Sequence, residues 1–104
     1  MNIKKKLIRW WLCVNMKDII LNNGLKIPIL GFGVYQISKE DCERCVLDAI
    51  KVGYRHFDTA QAYFNEEEVR SAILKSGIVR SDFFITTKIW IDNYGYEKTI
   101  NFVM

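Results

Sequence analysis

Three side chains in this sequence have the types and the spacing that reduction of a carbonyl group requires. Asp58 and Tyr63 lie five residues apart, between an apolar run typical of a strand and the start of a helix pattern, and Lys88 ends the next apolar run. A free phenol titrates near pH ~10, too high for an efficient acid at neutral pH, and a nearby ammonium group lowers that value. A buried carboxylate can hold the ammonium group through a charge-assisted hydrogen bond. The same spacing also suits a structural Asp–Lys ion pair beside a half-buried tyrosine, so both interpretations stay open.

Turn residues and apolar runs predict the elements that position these side chains. Asn22-Asn23-Gly24, between the runs Lys17–Leu21 and Leu25–Ile29, predicts a β-hairpin with a type I′ turn, and Pro28 favours an edge strand. Alternating strand and helix patterns follow. Their predicted order is strand Ile29–Tyr35, a helix from a capping box at Ser38 and Asp41 to Gly53, strand Tyr54–Asp58, a helix capped by Asn65 with Glu68 and closed by Gly77, strand Phe83–Lys88, and a polar–apolar segment Tyr96–Met104.

This βαβαβ order predicts a parallel sheet with right-handed crossovers. Both architectures that continue this way, the doubly wound sheet and the eight-stranded barrel, place function at the carboxyl ends of the strands. Asp58, Tyr63 and Lys88 are therefore expected on one face.

Composition limits the possible classes of function. The 104 residues suffice for one domain, and the net charge of +3 comes from the first 15 residues, which carry four basic and no acidic side chains. Residues 16–104 carry 11 basic and 12 acidic side chains, so no basic surface for nucleic acid is expected.

The leader 1–15 is read separately from the domain 16–104. Its apolar run Trp10–Val14 is too short to span a bilayer, and it lacks the cleavage site of a signal peptide. A weak interfacial anchor is one interpretation. We favour a disordered tail, or untranslated sequence upstream of a start at Met16.

The three cysteines give no secreted disulfide pattern, and a reducing cytoplasm fits best. Cys42 and Cys45 form a C-x-x-C pair, but Cys42 lies a turn inside the predicted helix on its apolar stripe, so we expect core packing and no metal site.

Four stretches carry a resemblance to a known family: Leu30–Tyr35 (LGFGVY), Val52–Tyr63 (VGYRHFDTAQAY), Asn65–Val69 (NEEEV) and Phe84–Trp90 (FITTKIW). From Asp18 to about Thr99 the chain resembles the N-terminal part of an aldo-keto reductase, of the bacterial branch that acts on small aldehydes, ketones and diketo-sugar acids. The resemblance implies an α/β fold, the N-terminal part of a (β/α)8 TIM barrel, in a cytoplasmic, usually monomeric oxidoreductase that uses NADPH to reduce a small carbonyl compound.

The resemblance also implies roles for individual residues. Asp58, Tyr63 and Lys88 match three members of the family's catalytic set. Gly33, Val34 and Tyr35, with Asp58, would contact the cofactor near its nicotinamide end. Tyr35 and Trp90 would line the carbonyl pocket, although packing at the barrel mouth explains them equally well. The family's catalytic histidine would follow the next strand, and His56 is expected to fill the barrel interior instead.

The sequence departs from the family at two positions and in length. Phe64 and Arg70 stand where glycine is common, and Phe64 could crowd the loop beside Tyr63. A full barrel needs ~250 residues, and this sequence supplies three barrel strands. The alternative expectation is therefore a catalytically inactive piece that lacks the histidine and the cofactor's phosphate and adenosine contacts, and that needs a complementary piece.

Overall fold

The computed structural model describes residues 17–103, so the interpretation of the leader lies outside the described residues. The elements alternate as the sequence predicts. In chain order they are β1 (Asp18–Ile20), β2 (Lys26–Pro28), β3 (Gly31–Gly33), α1 (Lys39–Val52), β4 (His56–Asp58), α2 (Glu66–Lys75), β5 (Phe84–Thr86) and α3 (Tyr96–Val103). Short 3-10 turns cover Gln61–Tyr63, Arg80–Asp82 and Ile91–Asn93.

The hairpin of β1 and β2 forms where predicted, but its turn is of a different type. A type I′ turn needs positive φ at both central residues, whereas Gly24 alone in this loop has it, at 84°. The Gly24 N–H donates to the carbonyl of Leu21 at 2.9 Å, and the Leu21 N–H donates to the carbonyl of Leu25 at 2.7 Å. The loop is therefore a type I turn followed by a left-handed glycine, and the type I′ prediction was wrong.

The second sheet contains β3, β4 and β5 in that order, with both pairs parallel. Gly33 is the Cα partner of Asp58, and Asp58 is the partner of Thr86, so the strands end level with one another. This arrangement confirms the predicted βαβαβ unit and places the segments after the three strands at one edge.

Each strand is shorter than predicted because neighbouring residues serve the loops and helix ends. Tyr54, for example, was predicted to start a strand. Its N–H instead donates to the carbonyl of Ala49 at 3.0 Å, while the N–H of Gly53 (φ 112°) donates to that of Ile50 at 3.1 Å. This pair of bonds is a Schellman motif that ends α1 at the predicted glycine, and β4 begins only at His56.

The core lies between one face of the parallel sheet and the helices α1 and α2. It contains Phe57, the largest fully buried side chain of the described residues, and the predicted apolar faces of both helices, including Val46, Val69 and Ile73. The fully buried Cys42 belongs to this cluster, and burial, with smaller effects from Glu68 and Cys45, raises the pKa of its thiol to about 11. The structure thus confirms the core-packing interpretation for Cys42, whereas Cys45 is only partly buried.

The first helix begins at the predicted residue without the predicted capping box. Ser38 is its N-cap, but the Ser38 hydroxyl donates to the carboxylate of Asp41 at 3.3 Å and leaves the helix amides to other acceptors. Within residues 17–103, no helix is long and apolar enough to cross a membrane.

Candidate active site

Asp58 and Lys88 form an ion pair at the carboxyl end of the parallel sheet. The Lys88 Nζ donates to Asp58 Oδ1 and, at 3.1 Å, to the backbone carbonyl of Thr59. The two side chains stay accessible, at 42% exposure for Asp58 and 52% for Lys88. The hydrogen bond to Asp58, followed by one to Tyr63, raises the pKa of Lys88, so it is an ammonium ion at neutral pH.

Tyr63 lies in the turn after β4 and faces this ammonium group. The Lys88 Nζ is 5.3 Å from the centroid of the Tyr63 ring, which is within cation–π distance. The ring of Tyr35 also contacts Tyr63, with ring centroids 5.1 Å apart at an interplanar angle of 53°. The structure therefore brings together all three side chains that the sequence singled out for chemistry, with Tyr35 beside them.

Gly33 and Val34 differ in what they offer to a ligand. Gly33 is paired with Asp58, and no described atom lies within 4 Å of the position a Cβ would take, so this part of the strand is open. Val34, in contrast, is fully buried in the core. Its N–H donates to the carbonyl of Asp58 at 3.2 Å, and its carbonyl accepts from the side chain of Asn65. The side chain of Val34 is thus unavailable to a cofactor.

Trp90 is held near the site through its backbone. Its N–H donates to Gln61 Oε1 at 3.1 Å, and its side chain is 45% exposed. The turn Gln61–Tyr63 therefore contacts the loop that carries Trp90 as well as the one that carries Tyr35.

His56 lies on the same side of the sheet as Asp58, because strand side chains alternate and the two are two residues apart. Its Nε2 is 3.1 Å from the hydroxyl of Thr86, and its ring packs edge-on against Phe84 at 5.3 Å. These are packing contacts on the face of the sheet opposite the helices, and the expected place of His56 inside a closed barrel stays a prediction.

Two residues close to Tyr63 in sequence have a conformation or hydrogen bonds that the sequence did not predict. Asn65, predicted to cap α2 with its side chain, instead donates from Nδ2 to the carbonyls of Val34 and Ile37, both at 3.0 Å, and is 1% exposed. Phe64 has φ of 55° and is 75% exposed, so its ring points to solvent and does not crowd the loop. A left-handed backbone favours glycine, which explains why Phe64 is an unusual residue here.

The site places the ammonium group of a lysine beside the phenol of a tyrosine, on a face of the protein that solvent can reach. The carboxylate of Asp58 fixes the ammonium of Lys88, the ammonium faces Tyr63, and bare backbone at Gly33 adjoins them. Within the described part of the chain, no group of three or more His, Cys, Asp or Glu side chains could bind a metal ion.

Comparisons with known proteins agree with one another. A family model described as the aldo/keto reductase family matches residues 29–103. The chain is 50% identical over 82 residues to an aldo-keto reductase of Mycolicibacterium smegmatis, covering 79% of this chain and 30% of that protein. It superposes with a TM-score of 0.81 and 48% identity on an aldo/keto reductase from Brucella melitensis, covering 86% of this chain and 34% of that one. A Bombyx mori aldo-keto reductase in complex with NADP matches with a TM-score of 0.77 and 33% identity, covering 83% and 31%. The chain thus spans about a third of the length of the proteins it matches.

Proposed function

Because the chain belongs to the aldo/keto reductase family and matches a part of its (β/α)8 barrel, we propose that it serves the NADPH-dependent reduction of a small aldehyde or ketone to an alcohol. One observation carries the proposal. The ammonium of Lys88 is fixed by Asp58 Oδ1 and the carbonyl of Thr59, and lies 5.3 Å from the ring centroid of Tyr63.

Each of these side chains has one task in the reaction. NADPH, when bound, supplies the hydride that the carbonyl carbon accepts. Tyr63 donates its hydroxyl proton to the carbonyl oxygen, which completes the alcohol and leaves a phenolate. Lys88 stabilises the phenolate by its charge, and Asp58 keeps Lys88 in place. Water then returns a proton to the phenolate.

The open face of the sheet supports binding of the nicotinamide end of the cofactor at Gly33 and Asp58. A planar ring can approach the backbone closely only where no Cβ projects, and the space in front of Gly33 meets this condition. Tyr35 would border this space with its ring, and Val34 would contribute only through its position in the strand, since its side chain lies in the core. The Bombyx mori neighbour, solved in complex with NADP, supports the choice of cofactor.

The aromatic rings of Tyr35 and Trp90 would form the walls of the pocket for the carbonyl compound. Both are exposed, Tyr35 beside Tyr63 and Trp90 on the loop bound by Gln61. Aromatic walls favour the apolar part of an aldehyde or ketone, and the hydroxyl of Tyr63 would donate a hydrogen bond to its oxygen.

The proposal is tested by titrating the purified protein with NADPH, followed through nicotinamide fluorescence, and then adding a simple aldehyde. We expect saturable binding and oxidation of NADPH. The Lys88→Met variant should lose oxidation, whereas the Lys39→Met variant, which removes an exposed charge on α1, should retain it. Absence of both binding and oxidation in the unmodified protein would overturn the proposal.

A further inference from the structure

Two amide side chains flank Tyr63 at a spacing of four residues and reach in opposite directions. Gln61 Oε1 accepts from the backbone N–H of Trp90 at 3.1 Å and from Asn93 Nδ2 at 2.9 Å. Asn65 Nδ2 donates to the carbonyls of Val34 and Ile37. The segment that carries Tyr63 is thus bonded to the loop after β5 on one side and to the loop after β3 on the other.

The partners fix which atom of each amide is used. A backbone N–H can only donate, so the Gln61 atom opposite Trp90 must be oxygen, and backbone carbonyls can only accept, so the Asn65 atom opposite them must be nitrogen. Gln61 therefore acts as an acceptor and Asn65 as a donor.

The burial of Asn65 indicates that these bonds do more than fill space. The side chain is 1% exposed, and its Oδ1 accepts no hydrogen bond from any residue in the described part of the chain. A buried acceptor without a partner destabilises the folded state, because the group loses its hydrogen bonds to water and gains none in return. An apolar residue of similar size would avoid this cost but would leave the carbonyls of Val34 and Ile37 without their donor.

We propose that Gln61 and Asn65 are positioning residues that set the distance of the two pocket walls from Tyr63. Asn65 holds the backbone on both sides of Tyr35, whose ring contacts Tyr63 at 5.1 Å. Gln61 holds the backbone of Trp90, and its own N–H donates to the carbonyl of Lys88 at 3.2 Å. The two residues thereby determine the width of the pocket and which carbonyl compounds fit. This inference rests on the proposed function.

The opposite roles allow a test with one chemical change at two positions. Replacing an amide by a carboxylate keeps the acceptor and removes the donor. Gln61→Glu should therefore keep the bond to the Trp90 amide, and Asn65→Asp should lose both of its bonds. Gln61→Met removes the acceptor. Asn22→Asp, in the hairpin and far from the site, is the control that introduces the same negative charge.

The first readout is structural and needs no turnover. In NMR spectra, we expect Asn65→Asp to lose the ring–ring contact of Tyr35 with Tyr63 and to keep the core contact of Phe57 with Phe83, whose rings are 6.1 Å apart. We expect Gln61→Met to speed exchange of the Trp90 amide by about tenfold, the effect of losing one hydrogen bond, and Gln61→Glu to restore protection. Asn22→Asp should change neither.

The outcomes separate a positioning role from a merely structural one. Retention of the Tyr35–Tyr63 contact in Asn65→Asp, or its loss together with the Phe57–Phe83 contact, would overturn the role of Asn65. An unchanged exchange rate of the Trp90 amide in Gln61→Met would overturn the role of Gln61. This measurement is decisive even if the Asn65→Asp variant does not fold.

Kinetics give the second readout. The ratio of kcat/KM for a bulky aldehyde over a small one should change in Gln61→Met and return towards the original ratio in Gln61→Glu, and an unchanged ratio in Gln61→Met would overturn the control of substrate fit. If the unmodified protein reduces no aldehyde, the proposed function fails, whereas the ring contacts and the Trp90 exchange still decide whether Gln61 and Asn65 hold the loops.

Discussion

The side chains of Asp58 and Lys88 meet because their strands are neighbours. Asp58 ends β4, its Cα partner Thr86 ends β5, and Lys88 lies two residues further on, where its Nζ donates back to Asp58 Oδ1. Thirty residues separate the pair in sequence, so the contact exists only when both strands have joined the sheet. The ion pair therefore depends on the assembled sheet, and the proposed chemistry depends on the ion pair.

Replacing Asp58 by Asn should lower the pKa of Lys88. The bond to Asp58 is the largest cause that raises this pKa above its ordinary value of 10.5, and an amide carries no charge to replace it. An NMR titration of the Lys88 side chain measures the effect. Asp48→Asn, which removes an exposed partner of Lys51, is the control and should leave Lys88 unchanged.

The raised pKa of Lys88 also makes the stability of the fold depend on pH. Because folding raises the pKa of Lys88, the pair stabilises the fold from neutral pH up to 10.5, and the contribution is lost as the pH rises through the higher folded value. The pair is accessible to water, so the contribution should be only tenths of a kcal/mol, about what exposed ion pairs give. A larger deficit of Asp58→Asn at pH 11 than at pH 7 would contradict this sign.

Replacing Phe64 by Gly should stabilise the protein. Its φ of 55° costs a residue with a Cβ roughly 1 kcal/mol, and its ring is 75% exposed, so little packing is lost. Urea unfolding should show a rise in the free energy of unfolding of about 0.5–1 kcal/mol. Phe64→Ala removes the ring but keeps the strained backbone, and an equal gain in this variant would show that strain is not the cause.

Cys42 should resist alkylation at neutral pH in the folded protein. Its thiol is fully buried, and its pKa of about 11 leaves almost no thiolate, which is the reactive form. Mass spectrometry after iodoacetamide treatment should find Cys42 modified only in urea, with the partly exposed Cys45 as the internal comparison. Because folding raises this pKa, stability should fall as the pH rises from about 9 to about 11. Rapid modification of Cys42 in the native state would contradict the core-packing interpretation.

Adding a side chain at Gly33 should weaken cofactor binding without weakening the fold. The Cβ position is open, and a β-branched residue suits a strand, so Gly33→Val should unfold at an equal or higher urea concentration. NADPH affinity should fall by at least about tenfold if the nicotinamide lies there. Gly31→Ala should weaken the fold and leave NADPH affinity unchanged. Its Cβ would lie 3.0 Å from His56 Nδ1 and disturb packing. Unchanged NADPH affinity in Gly33→Val would exclude this strand from the cofactor site.

Periodicity and turn chemistry predicted the order of elements and the pairing of the strands. Apolar stripes fixed the buried faces of α1 and α2, and the βαβαβ order was enough to bring Asp58 and Lys88 to one edge. These features depend on patterns many residues long, which local detail does not alter.

Two failures of prediction concern single polar side chains that had several possible partners. Asn65 is a good helix cap by type, but carbonyls 31 and 28 residues upstream, of Val34 and Ile37, bind its amide instead. Ser38 similarly bonds to Asp41 and not to the helix backbone. The sequence shows that such groups need partners but does not show which loop lies near enough to supply them. The left-handed backbone at Phe64 was also hidden, since the residue type argues against it.

The most direct test of the central claim is the rate of NADPH-dependent aldehyde reduction in the Tyr63→Phe variant. Phenylalanine keeps the ring beside Lys88 and Tyr35 but removes the proton donor, so the rate should fall by about 10²–10⁴-fold with NADPH binding unchanged. Tyr96→Phe removes the hydroxyl of a tyrosine that is 83% exposed at the start of α3 and should reduce aldehyde at the original rate. Equal rates in the Tyr63→Phe variant and the unmodified protein would contradict the assignment of Tyr63 as the acid.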